Sequence, residues 1–216
     1  MFQYCSNRIP EITDAFYKID DAMKAGFGWE NGPFEIWDAI GVEKGIELMK
    51  AEGYQPASWV TDMVASGNTS FYSIKDGATH FYSITNKKVE KVPGQDAFII
   101  LNNIRESKKI WNNSDSIITD LGDGIINLEF TSKMNSIGAG VLQGINKAID
   151  IAEKDYNGLV IGNQGANFSV GANLGMIFMM AVEQEYDELN MAIKMFQDTM
   201  MRCRYSSIPV IAAPHG

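Results

Sequence analysis

Apolar positions along the chain follow three successive patterns, each predicting a different kind of structure. Through the first third, Ile9, Ile12, Phe16, Ile19 and Met23 recur every three or four positions until Gly26 and Gly28 end the run, which is the spacing of a helix with one buried face. Pro33 then opens a second helix whose stripe is Phe34, Trp37 and Ile40 and whose stop is Gly41; proline suits the first helical turn and glycine the position past the last. Residues 45–52, closed by Gly53, and residues 57–64, closed near Gly67, read as two more helices. Residues 1 to about 65 are therefore expected to be helical.

A domain boundary is expected at 65–70, because residues 70–92 are rich in Phe, Tyr, Thr, Ile and Val and contain Asp76-Gly77, a dipeptide that favours a type I′ hairpin turn. Phe98-Ile99-Ile100-Leu101 reads as a buried strand, and a second hairpin signal, Asp123-Gly124, separates strands expected over 116–121 and 125–130. Beyond Asn135 the order becomes helix (137–153), strand (158–162), loop (163–173), long helix (182–202) and strand (210–213). Alternation of this kind predicts crossovers between parallel strands. On the long helix Val182, Tyr186, Leu189, Ile193, Phe196 and Met200 share one stripe, which is expected to be core. The fold class is α+β / α/β, with a helical domain over 1–67, a hairpin-rich connector over 68–115 and a ββα domain over 116–216.

Composition narrows the chemistry. At 216 residues and 45% hydrophobic content the chain has ample material for a core. No apolar run approaches the ~20 residues of a membrane span, and Gln3, Ser6, Asn7 and Arg8 stand where a signal peptide would be apolar, so a soluble, cytoplasmic protein is expected. A net charge of −9 without a basic cluster argues against nucleic acid. Cys5 and Cys203 could pair, but free thiols in a reducing compartment are the better reading, and no Cys/His cluster suggests a metal. The acidic run Glu183-Gln184-Glu185 with Asp187-Glu188 reads as a solvated helix face. His80 reads as an exposed strand residue. A Cys203 nucleophile with His215 as base is discounted, because Cys203 sits between Arg202 and Arg204 on a helix with no nucleophile motif around it.

Two stretches carry family resemblances. Gly26-Phe27-Gly28, Gly32-Pro33-Phe34-Glu35 and Asp38-Ala39-Ile40-Gly41, preceded by Asn7-Arg8 and Ile19-Asp20-Asp21-Ala22-Met23, resemble the C-terminal helical domain of 3-hydroxyacyl-CoA dehydrogenases over about the first 50 residues. On the residues alone this stretch is punctuation around a helix: glycines at turns, a proline start, and Phe34 and Trp37 as anchors. The resemblance implies that the catalytic His–Glu pair and the NAD domain would lie before residue 1. No Gly-x-Gly-x-x-Gly follows a strand, so NAD belongs to the full-length parent and no cofactor is expected on this chain. Because the segment resembles the second copy of a duplicated domain, Asn7 is not expected to be catalytic.

The second resemblance covers about 116–216. Met134-Asn135-Ser136-Ile137, then Leu159-Val160-Ile161-Gly162 with Phe168-Ser169-Val170-Gly171-Ala172-Asn173-Leu174, then Ile208-Pro209-Val210-Ile211-Ala212-Ala213-Pro214-His215-Gly216, resemble in order and spacing the motifs of the enoyl-CoA hydratase (crotonase) superfamily. That chemistry gathers negative charge on a thioester oxygen, and a fixed N–H donor aimed at it is worth roughly 2.7–4 kcal/mol in other enzymes. By resemblance the Ala172 N–H is the first oxyanion donor, Gly171, Asn173 and Leu174 line the acyl-CoA channel, and Ser136 and Ala166 lie near the nucleotide end. Asn173 stands in place of the usual Asp, and Asn makes similar local hydrogen bonds. The second donor and the catalytic glutamates would follow Gly216. The expectation is a fragment of a fatty-acid β-oxidation enzyme acting on 3-hydroxyacyl-CoA and enoyl-CoA thioesters. The chain itself is expected to be inactive and to self-associate; the alternative is a non-catalytic scaffold for oligomerisation or domain docking.

Overall fold

The computed structural model describes residues 1–215, with Asp96 described by its backbone alone; Gly216, the last residue of the final motif, lies outside the described residues. The chain forms two compact units, one from Met1 to Ile99 and one from Ile100 onward.

In the first unit the helices are α1 (Phe2–Asn7), α2 (Tyr17–Phe27), α3 (Pro33–Ile40), α4 (Val42–Ala51) and α5 (Ser58–Ala65). An antiparallel sheet follows, β1 (Tyr72–Lys75), β2 (Ala78–Ser83) and β3 (Lys88–Lys91), in that order. The Asp76-Gly77 turn joins β1 to β2 with both residues at positive φ, +53° and +74°, the backbone that a type I′ turn requires. The helix expected through residues 9–23 does not form as one. Its first part is a turn containing the cis Ile9–Pro10 bond, α2 starts only at Tyr17, and Ile12 is exposed. Pro10 lacks the N–H that a continuous helix needs, and apolar spacing does not register that loss.

Phe16, Phe34, Trp37, Val60, Met63 and Phe71 are fully buried together. Phe16 packs on Phe34 with centroids 5.0 Å apart and meets Phe71 edge-on at 5.3 Å, geometry that suits the ring quadrupoles. Buried Asp20 caps α3 from α2: its carboxylate accepts from the Phe34 N–H (2.9 Å), the Glu35 N–H (3.2 Å) and the Tyr72 hydroxyl (2.7 Å). Gly32 is required there, since a Cβ would fall 2.3 Å from that of Asp20. Asp38, near the other end of α3, accepts from the Phe71 and Tyr72 N–H groups at 2.7 and 2.8 Å. Two carboxylates thus tie helix to helix and helix to sheet.

The second unit contains α6 (Leu101–Ile104), β4 (Lys109–Asn112), β5 (Ser116–Gly122), β6 (Ile125–Phe130), α7 (Ala139–Asp155), β7 (Gly158–Ile161), α8 (Leu174–Val182), α9 (Tyr186–Arg204) and β8 (Val210–Ala212). The sheet order is β4-β5-β6-β7-β8, antiparallel from β4 to β6 and parallel from β6 to β8. α7 is therefore the crossover between two parallel strands, as the alternation predicts. Its buried face, including Val141, Leu142, Ile145, Ala148 and Ile149, packs on Ile118, Ile126, Leu128 and Leu159 of the sheet. Glu129, nearly buried on β6, is held bidentately by Arg105, with Nε at 3.1 Å and Nη2 at 2.7 Å.

Two expectations are corrected here. Residues 98–101 are no strand: Phe98 and Ile99 are exposed, and α6 begins at Leu101. A four-residue apolar run does not distinguish strand from helix start. The long helix forms as α9, starting at Tyr186 rather than at 182, and an unexpected helix, α8, precedes it, with Gln184 at φ +59° between the two. Nor is its stripe core: Val182, Tyr186, Ile193 and Met200 are exposed, and Leu189 and Phe196 are half-buried.

Candidate functional site

The loop of residues 163–173 leaves β7 and delivers the start of α8, and side chains from three segments pin it. Asn163 spans its base: Oδ1 accepts from the Phe130 N–H at 2.7 Å, and Nδ2 donates to the Phe168 carbonyl at 2.7 Å. Asn135 donates from Nδ2 to the Asn167 carbonyl at 2.8 Å, and its own carbonyl accepts from Ser169 Oγ at 2.6 Å. Both Met134 and Asn135 take left-handed backbone, φ +56° and +54°, which asparagine tolerates better than most residues. Ser169 Oγ also accepts from the Gly171 N–H at 3.0 Å, and the Ile137 N–H donates to the Gly171 carbonyl at 2.9 Å. Gly171 itself sits at φ +81°, where a side chain would strain the backbone.

These contacts set Ala172 beside Ile137 in a single parallel bridge. In that pattern the Ile137 amide is spent on Gly171, while the Ala172 N–H donates no hydrogen bond among the described residues. Ala172 and Asn173 line the mouth of an apolar cleft of about 420 Å³ between α7, α8 and α9, walled by Leu142, Met176, Ile177, Leu189 and Phe196. The stripe expected to be core supplies one wall of this cleft. Among the described residues no ionisable side chain lines it; Asn173 and Gln197 are its polar members.

The expected site residues are therefore only partly brought together. Gly171, Ala172 and Asn173 are contiguous, and Ala172 and Asn173 line the cleft. Leu174 opens α8 but is 76% exposed and does not line the cleft. Ser136 sits at the end of the 133–135 turn, its carbonyl accepting from Ser132 Oγ at 2.7 Å, and Ala166 is exposed at the loop tip. Asn173 acts as the cap of α8, accepting from the Met176 N–H at 3.3 Å, the local bond expected of an Asn in place of Asp. Sequence reasoning missed Asn163, Ser169 and the Asn135 side chain as loop anchors. Asn135 and Ser169 were visible only as motif letters and Asn163 only as the start of a loop, and the partners lie about 30 residues apart in sequence.

Elsewhere the titratable groups are structural. Burial pushes both Asp20 and Asp38 up to about 6, outweighing the N–H donors that pull them back. Tyr72 is pushed well above its ordinary range by burial and by the Asp20 carboxylate. Burial likewise raises the Cys203 thiol, the opposite of what a nucleophile needs. No group of three metal-ligating side chains occurs among the described residues, and no helix there is long and apolar enough to cross a membrane.

Comparison with known proteins bears on both units. Residues 11–78 match the family model of the 3-hydroxyacyl-CoA dehydrogenase C-terminal domain, in agreement with the resemblance carried by residues 26–41. The chain is 44% identical over 214 residues to a Bacillus subtilis protein named "Probable 3-hydroxyacyl-CoA dehydrogenase", covering 99% of this chain and 27% of that one. It is 26% identical over 215 residues to a Rickettsia felis protein named "Putative fatty acid oxidation complex trifunctional enzyme", covering all of this chain and 27% of that one. An enoyl-CoA hydratase structure from Bacillus anthracis superposes with a TM-score of 0.41 at 20% identity, covering 47% of this chain and 40% of that one. The chain spans about a quarter of the length of the curated relatives it matches.

Proposed function

We propose that this chain is a segment of a fatty-acid β-oxidation enzyme acting on 3-hydroxyacyl-CoA and enoyl-CoA thioesters, and that its second unit supplies half of an oxyanion-stabilising site. The observation that carries the reading is the Ala172 N–H, without a hydrogen-bond partner among the described residues, on a pinned loop at the mouth of an apolar cleft. An N–H held in place before the substrate arrives stabilises developing charge without paying reorganisation at the moment of reaction. In this reading the thioester oxygen accepts from Ala172, the acyl chain enters the cleft past Gly171 and Asn173, and the nucleotide extends toward Ser136 and Ala166.

The cleft offers charge stabilisation but no acid or base, since among the described residues no ionisable side chain lines it. The isolated chain therefore binds acyl-CoA weakly and turns nothing over, and proton transfer falls to other parts of the full-length, cytoplasmic parent. NAD chemistry belongs to that parent as well; the first unit contributes helical packing, with its buried carboxylates committed to backbone donors. Incubation of the purified chain with crotonyl-CoA tests this: no hydration is expected, and measurable hydration would overturn the assignment of half a site.

A second reading has one observation in its favour. α8 has nine residues, none polar and none buried, and a helix apolar all round is normally covered. A non-catalytic scaffold that oligomerises or docks a domain through this face accounts for that. Self-association is common to both readings; a hydrogen-bonding ligand at Ala172 belongs to the first alone.

A further inference from the structure

We infer that His215 is a positioning residue, holding the tip of the 163–173 loop in place for the nucleotide end of a CoA thioester. The assignment rests on the acyl-CoA reading above and gives a role to a side chain which that reading does not use.

Residues 164–167 at the tip are all exposed, so packing does not fix them. His215 does so from two sides. Its Nε2 lies 2.7 Å from the Gly165 carbonyl oxygen; a carbonyl only accepts, so Nε2 carries the proton and donates. Its own carbonyl accepts from the Phe168 N–H at 3.1 Å. The imidazole also meets the Phe168 ring edge-on, centroids 6.5 Å apart, and Phe168 leans on Phe130 at 5.9 Å. Gly165 and Phe168 flank Ala166 and Asn167, so a single residue brackets the tip.

The sheet explains how His215 reaches it. β8 runs parallel to β7, with Ile161 opposite Ala212 and the Ala213 N–H donating to the Ile161 carbonyl at 2.9 Å. Two residues further on, the chain still runs beside the loop that leaves β7. Ala172, in contrast, is held from the other side by Ile137 and Ser169, through Gly171. Asn135 holds Asn167 and Ser169 in the middle of the loop, but Gly165 and Ala172 at its two ends have no anchor in common. Loss of the His215 imidazole should therefore loosen the Ala166 end and leave the Ala172 end in place.

The test compares butyryl-CoA with butyryl-pantetheine, which keeps the thioester and lacks the nucleotide, each titrated into the isotope-labelled chain and followed by amide NMR. His215→Ala is expected to weaken butyryl-CoA binding roughly threefold to tenfold, the worth of one hydrogen bond. Butyryl-pantetheine binding and the Ala172 amide shift should not change. His215→Gln, whose amide nitrogen can replace Nε2, should restore CoA affinity. His215 is exposed, so both variants keep the fold. Equal losses on both ligands, an unchanged CoA affinity, or no rescue by Gln would overturn the assignment. If the unsubstituted chain binds neither ligand, the acyl-CoA reading itself fails and the assignment falls with it.

Discussion

Asp20→Ala in the first unit removes the acceptor of three donors at once: the Phe34 N–H, the Glu35 N–H and the Tyr72 hydroxyl. Losing the cap at the start of α3 costs about 1 kcal/mol by analogy with other helix caps. Leaving the Tyr72 hydroxyl unpaired in the interior adds about 1–3 kcal/mol. The expected loss is about 3 kcal/mol. Urea unfolding followed by tryptophan emission in a Trp111→Phe background reads this unit, since Trp37 and Trp59 pack in its core and Trp111 belongs to the second unit. Tyr72→Phe should cost less alone and add little in the Asp20→Ala background, giving a coupling of about 1 kcal/mol or more. A loss below about 1 kcal/mol for Asp20→Ala, or strict additivity with Tyr72→Phe, would refute the view that this carboxylate ties α3 to the sheet.

Asp20 and Asp38, whose ordinary value is 3.8, are both pushed up to about 6. A carboxyl raised on folding holds its proton more tightly in the folded chain, so its stabilising contribution is full below about pH 4 and lost as pH rises through about 6. The midpoint of unit-one unfolding should fall over that window and flatten in Asp38→Asn; a rise over the same window contradicts it. In the second unit, Arg105→Ala strands the nearly buried Glu129 carboxylate, and a loss of about 2–3 kcal/mol is expected, discounted from the fully buried case because Arg105 is partly exposed. Chemical denaturation of that unit checks it, and an unchanged midpoint would show the pair to be idle. Phe178→Glu on the exposed α8 should shift the chain toward monomer in light scattering; a parent chain that is already monomeric at high concentration would count against self-association through this face.

Much of the scaffold was legible because its signals are local. Asp76-Gly77 and Asp123-Gly124 both adopt the positive φ pair of tight hairpins, and Gly28 closes α2 in left-handed backbone. The alternation after Asn135 gave the parallel strands, and α7 lies within two residues of its expected bounds at each end. Failures came where a local pattern has two physical outcomes. Pro10 broke a helix that the apolar spacing continued, and the α9 stripe faces an open cleft rather than a filled core, although its period is that of a buried face. α8 carried no usable period at all, since every residue in it is apolar or glycine.

At the site, the motif around Gly171 and Ala172 was readable, but the machinery that holds it was not. Asn163, Asn135, Ser169 and His215 act on partners far away in sequence. Side-chain-to-backbone bonds of this kind leave no periodic trace. The same holds for Asp20 and Asp38, which stand in a recognisable segment without announcing that both are spent on backbone amides.

In the proposed function the Ala172 N–H is an oxyanion donor for an acyl thioester. Amide NMR of the isotope-labelled chain during titration with butyryl-CoA tests it most directly, because a new hydrogen bond to the thioester oxygen moves that one proton. A saturable downfield shift at Ala172 is expected, with smaller changes at Gly171 and Asn173 and none in residues 1–99. A titration in which butyryl-CoA perturbs other residues and leaves the Ala172 amide unmoved would contradict it.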